Sequence, residues 1–315
     1  MTLRANPFTI APGIVLPPVI LQRFYNYQGR AQTDAWLELI ATKLDDWCRT
    51  WHIELEIIEP PDTFNVVLFG RSGRVGDVVL KISPPTFESR AELEAVRQAS
   101  GPGFVRLIEA DPSISLMMLE RIRPGTALRD AGLSDEAMTR VGAARLLEFW
   151  QEPVRNDDLI PLERWARELL EHEPDKHPQL PGDLLRIGGD IARELLSTPS
   201  SHTLLHGDLH HQNILRRGDG EWVTIDPKGL IGERGYDIAT WMMNPWGAPL
   251  SDDFIQIANR RLDIFSEMLG EDRQRLAGWA VFHAALSLCW SLDAEQPEDP
   301  ESDIAFLRSV VRLLD

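Results

Sequence analysis

A short run in the C-terminal half of the chain combines a carboxylate, an amide and three imidazoles. Residues 206–213 read HGDLHHQN, which places Asp208 five positions before Asn213. Phosphoryl transfer needs a carboxylate that orients the acceptor hydroxyl and takes its proton, together with oxygen ligands for the metal ions on the phosphates. The spacing therefore predicts Asp208 as a general base and Asn213 as a metal ligand. The same separation joins these two roles in the kinase loop H-R-D-x-x-x-x-N, with glycine here in place of arginine.

A second carboxylate follows this run at the end of a predicted strand. The turn at 217–220 leads into the mainly apolar residues 222–225, and Asp226 ends them. A carboxylate in this position after the base is where a kinase holds its second metal ligand. An Asp-Pro pair is also a common start of a turn, but the presence of the HGDLHHQN run favours a metal ligand. Lys228, two residues on, is left open between a phosphate or substrate contact and a solvated or salt-bridged side chain.

A lysine interrupts an apolar run in the N-terminal half. The run DVVLKI contains Lys81, and an amine in an apolar strand is costly unless it meets an anion. In kinases the equivalent lysine holds the α- and β-phosphates of the nucleotide and pairs with a glutamate on the next helix. Glu92 is the predicted partner, with Glu88 and Glu94 as alternatives. Glu92 also fits a capping box with Ser89, which would give it a local role instead.

The histidines of the HGDLHHQN run allow a different kind of site. H-x-D-x-H-H is a plausible metal-ligand cluster, and a Gly-Asp pair with a later asparagine also occurs in binuclear metallophosphoesterases. Enzymes of that class have an early D-x-H and a later G-N-H, and this sequence has neither. His206 is therefore expected to orient the loop through hydrogen bonds rather than to bind a metal.

The N-terminal third is expected to combine strands with helices. Apolar residues alternate at 53–57 and form short apolar runs between turn residues elsewhere, both typical of strands, and they recur at helical spacing in other stretches. The predicted elements are a helix at 33–51, strands at 53–57, 66–69 and 77–82, a helix at 89–100 and a strand at 113–121. Before residue 33, an apolar stretch is broken by prolines at 7, 12, 17 and 18 and lacks the features of a secretory signal.

From residue 124 onward the pattern is mainly helical. Apolar stripes occur at 134–150, 161–171, 183–197, 253–269, 272–292 and 303–314, and short strand-like runs occupy 203–232. The sequence thus predicts an α+β fold with two lobes, of which the first is small, β-rich and spans 1–121. A hinge at 122–126 leads to a larger α-rich lobe at 127–315 that carries the catalytic loop. A cleft between two such lobes is a natural ligand site.

Composition limits the partners and the compartment. The chain has 315 residues, and its 49 acidic and 32 basic residues give a formal net charge of -17. Such a surface disfavours nucleic acid and anionic membranes. Cys48 and Cys289 cannot build a disulfide framework or a zinc site, and the longest apolar helical run, 278–292, is too short to span a bilayer. These features predict a cytoplasmic protein that binds neither nucleic acid nor membrane.

Several of these runs together resemble one family of kinases. They are Lys81, HGDLHHQN at 206–213, IDPKGLIG at 225–232, LERI at 119–122 with Pro124-Gly125, and YDIA at 236–239 with Asn244-Pro245. On these residues, the stretch from Ile53 to Asn244 is similar to the aminoglycoside/hydroxyurea antibiotic resistance kinases. These are streptomycin phosphotransferase-like members of the aminoglycoside phosphotransferase superfamily. The I-D-P-K-G run is the most specific part of the resemblance.

The resemblance implies a bilobal protein-kinase-like fold, ATP with Mg²⁺, and O-phosphorylation of a small hydroxylated molecule, with cationic molecules among the candidates. It implies Asp208 as the base and Asn213 and Asp226 as metal ligands. Lys81 would contact the phosphates, with Glu92 as its partner. Residues 119–122 would form a hinge, in which Glu120 and Ile122 face adenine through backbone groups. Asp237 would be a structural carboxylate that braces the catalytic loop.

Two features depart from the kinase pattern. No G-x-G-x-x-G precedes the lysine strand, and the preceding loop reads PPDTFN at 60–65. The phosphates would therefore be covered by a glycine-free loop, with Thr63 or Asn65 as donors, or be held mostly by Lys81 and metal. Pro227 stands where protein kinases have phenylalanine, which argues against regulation by flipping that segment.

The acceptor is predicted to lie in the α-rich lobe near Asp208. Acidic stretches at 157–158, 252–253 and 293–303 would suit a polycationic aminoglycoside, and they are also explained as solvated turns. Three tryptophans are candidates either for the wall of a sugar-binding pocket or for the core, namely Trp241, Trp246 and Trp290.

The leading prediction is an ATP-dependent O-phosphotransferase that moves the γ-phosphate onto a hydroxyl of an aminoglycoside-like antibiotic such as streptomycin, or of hydroxyurea. A metabolic kinase for a sugar or an amino alcohol is an alternative, because a fold does not fix the substrate. A catalytically silent nucleotide-binding module is an alternative of another class. The combined presence of Lys81, Asp208, Asn213 and Asp226 argues against it, since a silent module does not need all four.

Overall fold

The computed structural model describes residues 8–11, 13–56, 65–99, 101–150, 157–172, 182–244, 252–293 and 300–315. The chain divides into two compact units. The first comprises residues 1–93 and 105–122, and the second comprises residues 94–104 and 123–315.

The first unit begins with a hairpin and two helices that share its hydrophobic core. Strands β1 (Phe8–Ala11) and β2 (Ile14–Leu16) are antiparallel, and helices α1 (Pro18–Gln28) and α2 (Arg30–Trp51) follow. The sequence predicted most of α2 but none of the three elements before it. The prolines explain this miss. Pro18 occupies the first turn of α1, where its missing N–H breaks no helical bond, so it starts the helix instead of preventing it.

An antiparallel sheet forms the body of the first unit. Its strands are β3 (Ile53–Leu55), β4 (Val66–Ser72), β5 (Gly76–Ile82), β6 (Leu107–Asp111) and β7 (Leu116–Glu120), and helix α3 (Phe87–Gln98) follows β5. The strand order is β3-β4-β5-β7-β6. Alternate residues of β4 and β5, such as Leu68 and Leu80, are fully buried. The sequence predicted both strands as apolar runs separated by turn residues, and the period of two in their burial is seen in the structure.

The strand predicted at 113–121 was wrong at its N-terminal end. Residues 112–115 form a turn, in which the N–H of Ile114 donates to the carbonyl oxygen of Asp111 at 3.3 Å and Ser115 has a φ of 50°. This turn connects β7 to β6, which the sequence analysis missed. The apolar residue Ile114 lies within the turn and Leu116 directly follows it, so hydrophobicity alone did not mark the start of β7.

Helices dominate the second unit. They are α4 (Asp135–Phe149), α5 (Leu162–Trp165), α6 (Arg167–Leu170), α7 (Gly182–Ser197), α8 (Ala239–Met242), α9 (Asp252–Leu269), α10 (Arg273–Asp293) and α11 (Pro300–Val311). Short 3₁₀ helices occur at Leu128–Asp130, Arg234–Ile238 and Arg312–Leu314. The stripe predicted at 161–171 is divided at Ala166 into α5 and α6. None of the helices within the described ranges is long and apolar enough to cross a membrane.

Two small sheets lie among these helices. Strands β8 (Pro124–Ala127), β11 (Ile214–Arg217) and β12 (Trp222–Thr224) form one sheet in the order β12-β11-β8. Strands β9 (Ile160–Pro161), β10 (Thr203–Leu205) and β13 (Leu230–Gly232) form the other in the order β10-β13-β9, with β13 and β9 parallel. Four of these strands come from the predicted stretch 203–232.

A buried hydrogen-bonded cluster ties the short helices to α10. The Tyr236 hydroxyl, which is fully buried, donates to His283 Nδ1 at 2.8 Å and accepts from Trp165 Nε1 at 2.9 Å. Burial lowers the pKa of His283 to about 4, so the imidazole is neutral near pH 7. The ring therefore acts as a hydrogen-bond acceptor in the core rather than as a charge.

We expect His283 to contribute to acid denaturation. Its folded-state pKa of about 4 lies below the ordinary 6.5, so stability that is present above pH 6.5 is lost as the pH falls through this range towards 4. His283→Asn keeps an acceptor for Tyr236 and removes the titration. Its free energy of unfolding should therefore drop less than that of the parent between about pH 7 and about pH 4.5, by about 2 kcal/mol.

Urea unfolding at the two pH values measures this difference. His202→Asn, which replaces an exposed histidine, is the matched control and should behave as the parent does. Equal drops in the parent and in His283→Asn would contradict the expectation.

Candidate active site

The HGDLHHQN run forms the loop between β10 and β11, and neighbouring strands fix its start. Leu205 lies opposite Leu230 in the β10–β13 ladder. His206 consequently lies beside Lys228 and accepts its backbone N–H at 2.7 Å. Gly207 has a φ of 75°, and a Cβ at this position would come within 2.8 Å of Leu230 Cγ. Glycine is required here both by the backbone conformation and by the close approach of β13.

The peptide of Ile225 joins the end of the loop to the segment that carries Asp226. Its N–H donates to the carbonyl oxygen of Asn213 at 2.9 Å, which extends the β11–β12 ladder by one residue. Its own carbonyl oxygen accepts from His206 Nε2 at 2.9 Å. Asp226 follows with a φ of 65°, a left-handed conformation that is uncommon for a residue with a side chain and concentrates at functional sites.

A buried carboxylate braces the loop. Asp237 is 1% exposed. Its Oδ1 accepts the N–H of Gly207 at 2.6 Å, and its Oδ2 accepts the N–H of His206 at 2.9 Å and Trp150 Nε1–H at 2.8 Å. Burial raises the pKa of Asp237 to about 6, while the three donated bonds act in the opposite direction. These contacts confirm the bracing role that the sequence predicted for Asp237.

The histidines of the loop are held in the neutral form. His206 Nδ1 accepts the N–H of Asp208 at 3.2 Å, so its proton is on Nε2. Burial lowers the pKa of His206 to about 4 and that of His211 to about 3, and it also lowers the pKa of His210. Over the residues that the structure describes, no three His, Cys, Asp or Glu side chains are arranged to hold a metal ion. The alternative of a histidine metal cluster therefore has no support here.

Two side chains approach the carboxylate of Asp208. Lys228 Nζ lies 3.2 Å from Oδ2, and His210 Nε2 lies 3.9 Å from Oδ1. The side chain of Asp208 is 27% exposed and that of Lys228 is 40% exposed. The carboxylate is thus held by a partner and still accessible to a ligand, as a general base must be. Of the readings left open for Lys228, the structure shows a salt-bridged lysine.

The oxygen atoms of Asn213 and Asp226 fit one kind of metal site. Asn213 Nδ2 donates to the carbonyl oxygen of Asp208 at 2.9 Å, so Oδ1 is the side-chain atom that this bond does not use. Mg²⁺ is commonly bound by one or two protein oxygens, while phosphate oxygens and water complete its octahedron. One carboxylate and one amide suit an ion that is shared with a nucleotide, and they are too few for an ion held by protein alone.

In the first unit, Lys81 pairs with Glu92. Lys81 Nζ bonds to Glu92 Oε1, and the two side chains are 9% and 11% exposed. Thr86 and Ser89 cap helix α3 instead: the N–H of Ser89 donates to Thr86 Oγ1 at 3.3 Å, and the N–H of Thr86 donates to Ser89 Oγ at 3.0 Å. Ser89 therefore lies in the first turn, and the local alternative for Glu92 was wrong. The buried pair satisfies the need for an anion beside Lys81.

The predicted hinge begins at the end of β7. The N–H of Glu120 donates to the carbonyl oxygen of Arg106 at 3.0 Å, and the N–H of Arg121 donates to that of Asp77 at 3.2 Å. Both amides are thus used by the sheet. Ile122 is 8% exposed and is the last residue of the first unit. Backbone groups of Glu120 and Ile122 stay the predicted adenine contacts.

The tryptophans differ in their surroundings. Trp241 is fully buried and stacks on His211, with ring centroids 3.9 Å apart, so it belongs to the core and forms no pocket wall. Trp290 is half-buried and meets Trp165 edge to face at 5.2 Å. Three other predictions lie outside the described residues, namely Trp246, the phosphate donor Thr63 and the central part of the acidic run at 293–303.

Sequence analysis missed two residues that position the site. Trp150 lies 87 residues from Asp237 in the chain, so their contact cannot be predicted from the spacing of nearby residues. Glu233 is 2% exposed and accepts from Arg275, from Trp279 Nε1 and from the N–H of Ser200, which fixes the segment that leads to Asp237. An acidic residue directly after the apolar end of β13 was the available signal for this second residue.

The chain is similar to known proteins over most of its length. The model of the aminoglycoside/hydroxyurea antibiotic resistance kinase family matches residues 50–294. The streptomycin 6-kinase of Streptomyces glaucescens is 29% identical over 264 residues, which cover 82% of this chain and 85% of that protein. The streptomycin 6-kinase of Streptomyces griseus is 30% identical over 238 residues, which cover 74% of this chain and 76% of that protein.

A solved structure shows the same architecture. An amicoumacin kinase in complex with AMP-PNP and Ca²⁺ matches with a TM-score of 0.62, covering 85% of this chain and 92% of that one, at 16% sequence identity. An identity this low is informative about the fold alone. The match confirms the predicted α+β, protein-kinase-like fold.

Replacement of Asp237 should lower the free energy of unfolding by more than replacement of a surface carboxylate would. Asp237→Ala leaves three donors without their acceptor, two of them buried and the Trp150 indole part-buried, and each buried donor costs about 1–3 kcal/mol. We therefore expect the free energy of unfolding to fall by about 4 kcal/mol, as measured by urea denaturation. Trp150→Phe, which removes one of the three bonds and keeps a ring, is the matched control and should cost about 1 kcal/mol. A loss in Asp237→Ala no larger than in Trp150→Phe would show that the bracing bonds are weak.

Proposed function

The chain belongs to the aminoglycoside/hydroxyurea antibiotic resistance kinase family, and we propose that it transfers the γ-phosphate of ATP to a hydroxyl group of streptomycin. The family match spans residues 50–294 and includes every predicted site residue. The observation that carries the proposal is the placement of Asp208, Asn213 and Asp226 on one loop and the segment beside it, joined by hydrogen bonds. Catalysis of phosphoryl transfer by a protein depends mainly on positioning of this kind.

Asp208 is the proposed general base. Its carboxylate accepts a hydrogen bond from the acceptor hydroxyl and takes the proton as the hydroxyl oxygen attacks the γ-phosphorus. The bond between the γ-phosphorus and the β,γ-bridging oxygen breaks, and ADP leaves with the electron pair. The backbone around Asp208 is fixed by the ring of His206 and by the amide of Asn213, so the carboxylate is oriented before the acceptor arrives.

The remaining roles follow the two predicted lobes. In residues 1–121, Lys81 contacts the α- and β-phosphates with its amine fixed by Glu92, and the hinge-side backbone groups of Glu120 and Ile122 contact adenine. Residues 127–315 carry the base, the metal ligands and the acceptor site, and residues 122–126 connect the two lobes. The buried Lys81–Glu92 pair supports the first assignment, because a fixed ammonium suits an anionic ligand.

Mg²⁺ is the proposed metal, with Asn213 Oδ1 and the carboxylate of Asp226 as its protein ligands. When bound, the ion neutralises charge on the phosphate oxygens. The protein contributes the placement of the ligands, since the Ile225 peptide holds the backbone of Asn213 next to the segment that carries Asp226.

Streptomycin is the proposed acceptor because both relatives described above are named streptomycin 6-kinases, and the matches cover 85% and 76% of their lengths. The 6-position that their names give is the proposed target. A net charge of -17 suits a cationic acceptor. Hydroxyurea, which the family description includes, is the second acceptor to test. We expect the reaction to take place in the cytoplasm, where ATP is supplied.

Removal of the base should abolish transfer without loss of nucleotide binding. Asp208→Asn keeps the shape of the side chain and cannot take the proton, so kcat should fall at least about a hundredfold. The Kd for ADP should stay unchanged, because Asp208 faces the acceptor. Asp190→Asn, at an exposed site on α7 where the carboxylate pairs with Arg193, is the matched control. Turnover of Asp208→Asn at the parent rate, in a coupled ADP-release assay, would disprove the base assignment.

The acceptor can be identified with one panel. Purified protein, ATP and Mg²⁺ are incubated in turn with streptomycin, hydroxyurea, a simple sugar and an amino alcohol. We expect ADP release and a phosphorylated product, seen by mass spectrometry, with streptomycin, and NMR should place the phosphate at position 6. Turnover of a different acceptor alone would show that the streptomycin assignment is wrong while the kinase assignment stands.

A further inference from the structure

We propose that Lys228 is a further catalytic residue, whose ammonium group contacts the phosphoryl group while it passes to the acceptor oxygen. This inference rests on the proposed function, since it concerns the same site. It begins from one contact: Lys228 Nζ lies 3.2 Å from Oδ2 of Asp208, the proposed base.

The backbone of Lys228 is fixed against the catalytic loop. Its N–H donates to the carbonyl oxygen of His206 at 2.7 Å, and β13 begins two residues later at Leu230. A Cβ built on Gly207 would lie 3.2 Å from Lys228 Cβ, so the two segments touch at this point. Only the part of the side chain beyond Cβ can adjust, and 40% of the side chain is exposed. The amine is therefore held at the base and remains accessible to an incoming ligand.

The contact between Lys228 and Asp208 holds the two side chains together, and it does not by itself stabilise the transferring phosphoryl group. Lys228 can contribute to catalysis when a second anion, the phosphoryl group, enters the site beside Asp208. An ammonium group has three donors, so it can keep one N–H on Asp208 and direct another to an oxygen of the phosphoryl group.

This arrangement matches where charge resides during the reaction. Negative charge is spread over the three equatorial oxygens of the transferring phosphoryl group, and fixed positive groups stabilise it. The acceptor oxygen must lie between the base and the phosphorus. An ammonium group that contacts both Asp208 and the phosphoryl group therefore fixes the distance between them and also stabilises their negative charges.

A neighbouring cation provides a useful contrast. The backbone N–H of Arg129 donates to the carbonyl oxygen of His211 at 3.2 Å, so this cation also lies near the loop. Arg129 Nε lies 3.3 Å from Asp130 Oδ1, on an exposed pair. Lys228 is the cation that contacts the base, and the proposal is specific to it for that reason.

The test separates contact with the phosphoryl group from a structural role. Lys228→Met removes the charge and keeps the aliphatic chain, and Lys228→Arg keeps the charge. For each protein we measure kcat, the KM for streptomycin, the Kd for ADP, and the Kd for ADP with aluminium fluoride, which mimics the transferring phosphoryl group. Arg193→Met, on the exposed face of α7, is the control for loss of one positive charge.

We expect kcat of Lys228→Met to fall about 10²–10³-fold, with the Kd for ADP unchanged. Aluminium fluoride should tighten ADP binding in the parent and in Arg193→Met, much less in Lys228→Met, and partly in Lys228→Arg. A parent-like kcat in Lys228→Met would overturn the proposal. So would an equal loss of affinity for ADP with and without aluminium fluoride, or a lowered Tm in both Lys228 variants, since each of these indicates a structural role.

The aluminium fluoride measurement needs no acceptor, so it decides the role of Lys228 independently of the substrate. If the parent turned over no acceptor but showed tightening that Lys228→Met lost, the proposed function would fail and the inference would stand. If the parent phosphorylated streptomycin and Lys228→Met did so equally well, the inference would fail and the proposed function would stand.

Discussion

The carboxylate of Asp237 is the constraint on which the geometry of the catalytic loop depends. A buried carboxylate is unfavourable unless donors surround it, and here three N–H groups do so, two of them from the backbone of the loop itself. Because the first two residues of the loop are fixed in this way, the ring of His206 reaches the carbonyl oxygen of Ile225. The N–H of the same residue, Ile225, holds the backbone of Asn213. The buried carboxylate of Asp237 thus fixes a series of hydrogen bonds, through His206 and Ile225, that ends at the proposed metal ligands.

The catalytic loop was predictable because its chemistry is local in sequence. Asp208 and Asn213 are separated by a spacing that a single turn imposes, and Lys81 is conspicuous because a charge interrupts an apolar strand. The apolar runs at 66–69 and 77–82, separated by turn residues, were sufficient to predict β4 and β5, and the match to a solved kinase confirms the fold class. These signals arise within a window of a few residues, which is the range over which spacing carries information.

Other parts could not be predicted, because they depend on contacts between distant residues or on exceptions to local rules. Trp150 and Asp237 meet only after the second unit has folded. Helix α1 begins at a proline, a residue that usually marks the end of an element. The cap of α3 uses Thr86 with Ser89, although the sequence also allowed Ser89 with Glu92. The sequence was compatible both with a capping box between Ser89 and Glu92 and with an ion pair between Lys81 and Glu92. The ion pair forms because the buried ammonium group of Lys81 requires an anion.

The bonds that shape the loop have a consequence for substitutions elsewhere in the chain. Apart from the Trp150 contact, the bonds described for the loop join residues within the stretch from Thr203 to Asp237. Helices such as α9 and α11 contribute none of these bonds. Substitutions on those helices therefore leave these bonds in place. The stretch from 203 to 237 supplies most of the bonds that shape the loop, and the Thr240 hydroxyl and the Arg129 N–H add contacts from outside it, at Leu209 and His211. Substitutions elsewhere that spare these contacts leave the shape of the loop intact.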